Sequence, residues 1–155
     1  MGITGSSGKT TTKEMLFCLL SRSRRVLRNP GNRNNLIGMP LALLELSGEH
    51  DAAILEMRSN APGELARLAG ILVGLGVSKI RLTGGEPLVR ANLEHLVALL
   101  ARIPGVEDLT LTTNGYLLAQ QAQTLRDAGL RRLTVSLDTL DDAIFRKMNG
   151  RNFGP

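Results

Sequence analysis

One cysteine, no tryptophan and no long apolar run mark this sequence by what it lacks. With Cys18 alone, no disulfide can close within the chain. Aromatic residues make up only 3% of the sequence, which removes the stacking platform that binders of single-stranded nucleic acid use. No apolar stretch approaches the ~20 residues of a spanning helix, and no basic-then-apolar leader opens the sequence. These absences exclude a disulfide scaffold, a membrane span and a base-stacking surface. They predict a cytoplasmic protein without nucleic-acid or membrane partners. Cys18 lies among Phe17, Leu19 and Leu20 and is expected as a packed core thiol.

What is present is a basic, core-forming chain. Of its 155 residues 43% are hydrophobic, enough for one sizeable core, and the net charge is +5. The densest basic cluster, Arg22, Arg24, Arg25 and Arg28, follows an expected helix end, where cations are locally favourable, and reads as a solvated surface.

Short strands alternate with amphipathic helices throughout. The periodicity predicts strands over 2–4, 26–28, 51–57, 79–82, 108–112 and 132–137. Helices are predicted over about 9–22, 40–46, 62–75, 93–103, 117–128 and 141–148. In the first helix Met15, Leu16, Leu19 and Leu20 are expected on the buried side. Such alternation specifies an α/β fold: three layers, with six mostly parallel strands in a P-loop or Rossmann-like order 2-3-1-4-5-6. The whole of 1–155 is expected as a single domain. The last three strands alternate strictly, Ile80 and Leu82 against Lys79 and Arg81, Leu109 and Leu111 against Thr110 and Thr112, Leu133 and Val135 against Thr134 and Ser136. A polar strand face suits the lining of a barrel, so partial barrel-like closure is the alternative architecture.

The richest stretch is Gly2-Ile3-Thr4-Gly5-Ser6-Ser7-Gly8-Lys9-Thr10-Thr11-Thr12. A glycine-rich turn that leads straight into a helix aims backbone N–H groups at an anion. Gly5, Ser6, Ser7, Gly8, Lys9, Thr10 and Thr11 are therefore expected to cradle nucleotide phosphates. Lys9 would reach the terminal phosphates and the Thr10 hydroxyl would ligate magnesium. Glu56, at the end of the third strand, falls beside this cradle and is a second candidate magnesium ligand.

Three separated motifs then name a family. The cradle through Lys13-Glu14, the stretch Gly31-Asn32-Arg33-Asn34-Asn35-Leu36-Ile37-Gly38-Met39-Pro40-Leu41, and Leu55-Glu56-Met57 together resemble the ATP-binding central domain of Mur ligases over about 1–68. The type resembled adds D-alanyl-D-alanine to the peptidoglycan precursor. The resemblance implies Mg-ATP at the glycine-rich loop, metal contacts from Thr10 and Glu56, and substrate-side contacts from Asn34 and Asn35. A second set of motifs resembles another family over about 70–153. These are Gly76-Val77-Ser78-Lys79-Ile80-Arg81-Leu82-Thr83-Gly84-Gly85-Glu86-Pro87-Leu88, then Thr112-Thr113-Asn114-Gly115, then Val135-Ser136-Leu137-Asp138. They look like the radical S-adenosylmethionine enzyme that cyclises GTP. This resemblance implies that Gly84, Gly85, Glu86 and Pro87 hold the amino end of S-adenosylmethionine. It also places Thr113, Asn114 and Ser136 along the same ligand, on the polar strand face.

Neither parent site is complete. Iron–sulfur clusters are held by cysteine thiolates, and Cys18 lies in the other half, so no iron–sulfur cluster and no radical chemistry are expected. The sequence reads as a chimera, engineered or selected for folding, with the seam between about Glu64 and Val73. Its expected ligand is a nucleotide or a phosphate or sulfate ion, with no complete catalytic site. An ATP-using enzyme or ATPase is one alternative, and a module that binds S-adenosylmethionine or GTP is another. The very short first strand leaves room for a homodimer or a strand-exchanged oligomer.

Overall fold

The computed structural model describes residues 1–4, 8–31, 33–58 and 63–149. Strands and helices alternate along it: β1 (Gly2–Ile3), α1 (Lys9–Leu20), β2 (Val26–Arg28), α2 (Gly38–Leu43), β3 (Ala52–Glu56), α3 (Glu64–Gly74), β4 (Lys79–Leu82), α4 (Leu93–Ala101), β5 (Asp108–Thr113), α5 (Leu118–Asp127), β6 (Arg132–Val135) and α6 (Asp142–Asn149). Every recorded strand pairing is parallel. The α/β class expected from the alternation is the one observed.

The strand order departs from expectation at one place. The strands form two sheets, β1-β3-β2 and β4-β5-β6, in place of one six-stranded sheet. Orders 2-3-1 and 4-5-6 are both present, but the expected pairing of β1 with β4 is absent among the described residues. β1 is an edge strand, not a central one. The reason is its length: two residues, in register with Leu55 and Glu56, offer too few backbone groups to hold neighbours on both sides. Nor does the second sheet close into a barrel; β4 and β6 are its two edges.

The chain divides into two compact units, Met1–Leu75 and Gly76–Pro155. In the first, Met39, Leu55, Met57 and Leu68 form a buried cluster, with Leu36, Leu43, Ile71 and Leu72 packed against it. β3 is covered on both faces, as its unbroken apolar run requires. α1 presents Lys13, Leu16, Phe17 and Leu20 inward at i, i+3, i+4 and i+7 spacing. Met15 and Leu19, expected inside, are each 62% exposed, and Cys18 is an exposed free thiol and not a core residue. The apolar count on this helix favoured one face, while the contacts selected the neighbouring one.

In the second unit Leu109 and Leu111 of β5 are buried with Leu88, Leu93, Val97, Leu100 and Leu125. The register aligns Ile80 with Leu109 and Leu82 with Leu111, then Leu111 with Leu133. One face is thus apolar and the other carries Lys79, Arg81, Asp108, Thr110, Thr112, Arg132 and Thr134, as the alternation predicts. Among the described residues no helix is long and apolar enough to cross a membrane.

Candidate functional site

The first unit gathers its polar chemistry at the start of α1 and the end of β3. Gly8 precedes the helix with φ 74°, a left-handed conformation that glycine adopts without steric cost. Lys9 and Thr10 follow in the first turn, where unpaired backbone N–H groups favour an anion. Gly5, Ser6 and Ser7 of the expected cradle lie outside the described residues. Thr11 is exposed on the same turn.

Glu56 is the hub. It is only 3% exposed. The Thr10 hydroxyl donates to its Oε2 at 2.9 Å and the Asn34 amide donates to its Oε1 at 2.9 Å. Lys13 Nζ stands 3.6 Å from Oε2 and donates to the Asn29 carbonyl at 3.0 Å. Burial pushes the Glu56 carboxyl up, but the Asn34 and Thr10 hydrogen bonds and the nearby Lys13 and Lys9 charges outweigh it and hold the group below the ordinary glutamate range. The carboxylate stays ionised and able to meet a cation.

Two buried residues that the sequence motifs left unassigned organise this hub. Lys13 is 1% exposed and Asn29 is 0% exposed. Asn29 Nδ2 donates to the Glu56 carbonyl at 2.9 Å and to the Arg33 carbonyl at 2.6 Å, and its Oδ1 accepts from Glu56 N–H at 2.8 Å. It thereby ties the end of β2 to the end of β3. Lys13 could have been found from helical phase, since it shares the stripe of Leu16, Phe17 and Leu20. Asn29 follows β2 directly, where a side chain with both donor and acceptor can bridge to the next strand.

The expected partners Asn34 and Asn35 behave differently. Asn34 faces Glu56, whereas Asn35 Oδ1 accepts from the N–H groups of Ile37 and Gly38 at 3.1 and 2.8 Å and so holds the turn that leads into α2. Gly38 lets that turn close; a Cβ there would sit 2.6 Å from the Arg33 Cα. As a magnesium site, the Thr10 hydroxyl and Glu56 carboxylate fit: both are hard oxygen donors, held in contact beside a helix N-terminus. Magnesium commonly takes one or two such protein ligands together with phosphate oxygens.

The second unit builds a closed loop after β4. Gly84 and Gly85 take φ 100° and 50°, turning the chain into a short 3-10 turn, Pro87–Val89. Glu86 Oε1 accepts from Leu88 N–H at 3.0 Å and from the Thr113 hydroxyl at 2.5 Å, and Oε2 accepts from Asn114 N–H at 2.7 Å. Burial pushes Glu86 up, but the Asn114, Thr113 and Leu88 bonds win and hold it below its ordinary range. Thr113 is in register with Val135, on the apolar face, and is 2% exposed. Its expected place on the polar face is therefore corrected, because the residue falls at odd parity with Thr110 and Thr112. Ser136 is exposed, with its N–H on the Thr113 carbonyl at 2.8 Å.

The polar face of this sheet holds a shallow depression of about 320 Å3 lined by Lys79, Ile80, Arg81, Asp108, Thr110 and Arg132. Arg132 grips both Asp108 oxygens, which keeps that carboxyl below its ordinary range. Arg81 donates to the Thr112 and Thr134 hydroxyls at 3.0 and 3.4 Å. Among the described residues no group of three or more His, Cys, Asp or Glu side chains is placed to hold a metal ion.

Comparisons with known proteins find two families whose matches overlap over residues 47–77. Residues 47–154 match the family model of the Radical SAM superfamily, and residues 3–77 match that of the Mur ligase middle domain. The chain is 56% identical over 89 residues to GTP 3',8-cyclase of Staphylococcus aureus strains JH9 and Newman, covering 57% of this chain and 26% of each relative. Among solved structures it is similar to UDP-N-acetylmuramoylalanyl-D-glutamyl-2,6-diaminopimelate--D-alanyl-D-alanyl ligase from Acinetobacter baumannii, with TM-score 0.57 and 28% identity over 86% of this chain and 29% of that one. It is also similar to MurF ligase from Thermotoga maritima in complex with ADP, with TM-score 0.54 and 28% identity, covering 86% and 31% of the two chains. The chain thus spans about a quarter of the curated relatives and under a third of these ligases. It joins a segment like one family to a segment like the other. A cysteine-held cluster does not fit the second segment, since residues 47–154 contain no cysteine.

Proposed function

The chain belongs to the Radical SAM superfamily, with a Mur ligase middle-domain segment ahead of and overlapping that match, and we propose that it binds nucleotide phosphates through its first unit and performs no radical chemistry. The observation that carries this reading is the meeting of Thr10 and Glu56 at 2.9 Å beside the N-terminus of α1. Gly8, Lys9, Thr10 and Thr11, with Gly5, Ser6 and Ser7, form the phosphate-binding stretch. Magnesium would be held by Thr10 and Glu56, where it screens phosphate charge. Asn34 and Lys13 keep the Glu56 carboxylate ionised and aimed. The ligase that is similar in structure was solved with ADP, which supports a nucleotide as the ligand.

Glu86, the residue that the second unit's resemblance would assign to S-adenosylmethionine, has its oxygens engaged by Leu88 on its own loop and by Thr113 and Asn114 at the end of β5. No thiolate is available in this segment to hold the cluster. The join itself, at a helix that feeds a parallel strand in both families, reads as engineered or selected for folding.

Calorimetric titration with Mg-ATP tests the proposal. Binding by the unaltered chain, lost in Lys9→Ala and weakened in Glu56→Gln only when magnesium is present, is the expected result. Binding unchanged by Lys9→Ala would refute it. Steady phosphate release abolished by Lys9→Ala would instead favour an ATPase.

A further inference from the structure

β6 is an edge of the sheet β4-β5-β6, and every one of its residues is exposed. Leu133, Val135 and the following Leu137 are 39%, 44% and 41% exposed, whereas Leu111, in register with Leu133, is fully buried. An apolar, unprotected edge is a template for pairing with another strand.

The backbone phase fixes which groups point outward. Ser136 N–H donates to the Thr113 carbonyl at 2.8 Å, and Thr134 is in register with Thr112. Hydrogen bonding along a parallel strand alternates, so from Arg132 onward the even-numbered residues bond to β5. The N–H and C=O groups of Leu133, Val135 and Leu137 face the open edge.

The side chains add a second constraint. Residues 132–138 read Arg-Leu-Thr-Val-Ser-Leu-Asp. Turned antiparallel on itself about Val135, this segment sets Val135 against Val135, Thr134 against Ser136, Leu133 against Leu137, and Arg132 against Asp138. Like meets like on each face, and Asp138 of each copy meets Arg132 of the other, whose guanidinium has five N–H donors and gives two of them to Asp108. Shifting by two residues keeps the bonding phase but sets Arg132 against Ser136 or Leu140, losing the charge pair. We propose that β6 pairs antiparallel with β6 of a second copy of this chain, with Val135 on the twofold axis. The result is an isologous dimer with one continuous six-stranded sheet, β4-β5-β6 followed by β6-β5-β4 of the second copy.

Site-directed cross-linking tests the register in the full chain. With the exposed Cys18 replaced by serine, Val135→Cys should form an intermolecular disulfide under mild oxidation. Directly opposed residues of a hydrogen-bonded antiparallel pair lie ~5.5 Å apart at Cα, within disulfide range. Leu133→Cys alone should stay uncross-linked, while Leu133→Cys with Leu137→Cys should link. In sedimentation the unaltered chain should dimerise. Val135→Lys, which sets like charges face to face at an exposed position, should weaken the dimer by about tenfold or more with an unchanged circular dichroism spectrum. A chain that stays monomeric at about 100 μM, a concentration that populates even weak dimers, would overturn the proposal. So would cross-linking of the Leu133→Cys variant as efficient as that of Val135→Cys.

Discussion

A lysine turned inward sets the electrostatics of the first unit. Lys13 and Glu56 are both buried, and Lys13 is the cation nearest the carboxylate among the contacts of that hub. Removing one member of a buried pair leaves the other charge uncompensated, at a cost of about 3 kcal/mol. Lys13→Met should therefore lower urea stability by about that amount, and adding Glu56→Gln should restore part of it. A loss in the double variant equal to the sum of the Lys13→Met and Glu56→Gln losses would show that the two do not interact. Glu86 makes the matching prediction for pH. Its folded-state pKa lies below the ordinary ~4.3, so the unfolded chain takes up the proton first as pH falls. Its contribution is full above pH ~4.3 and is lost as pH drops through the folded value. Glu86→Gln should cost about 2 kcal/mol at pH 7, and the gap to the unaltered chain should close below about pH 4, read from denaturant curves across pH. Of these residues, Glu56 and Glu86 were legible from their motifs. Asn29 was not, because an asparagine announces burial only through the partners that packing supplies, and Lys13 was marked only by sharing the helical stripe of Leu16, Phe17 and Leu20.

At the scale of elements, the helices and the last three strands were legible and the first helix's inner face was not. Alternation in β4, β5 and β6 leaves one reading, since a one-residue slip would turn every leucine to the polar side. In α1 two adjacent stripes compete: one holds Met15 and Leu19, the other Lys13, Leu16, Phe17 and Leu20. The buried hydrogen bonds of Lys13 decide between them, and they are invisible to a count of apolar residues. The α2 turn depends on Gly38, where Arg33 backbone leaves no room for a methyl group. Gly38→Ala should lower the melting temperature, with about 1–3 kcal/mol lost. It should also weaken nucleotide binding, since Asn34, on the same turn, holds Glu56. An unchanged melt would show that the backbone yields freely there.

For the whole molecule, the parallel α/β character followed from the rhythm of the chain, whereas the number of sheets did not. A six-strand order needs β1 at its centre, and a two-residue strand already paired with Leu55 and Glu56 of β3 is too short to hold β4 as well. Each unit carries its own buried cluster. Leu68→Ala, in the first, should cost about 3 kcal/mol. It should speed amide hydrogen exchange in β3 and α3 while leaving β5 unchanged; acceleration in β5 would mean that the units unfold together. The account as a whole rests on one receptive site in the first unit and a self-satisfied loop in the second. Amide chemical shifts recorded during titration with Mg-ADP test it most directly. The account predicts saturable shifts at Gly8, Lys9, Thr10 and Glu56, with Glu86, Thr113 and Asn114 unmoved. Shifts confined to the Glu86 loop, or none at saturating nucleotide, would contradict it.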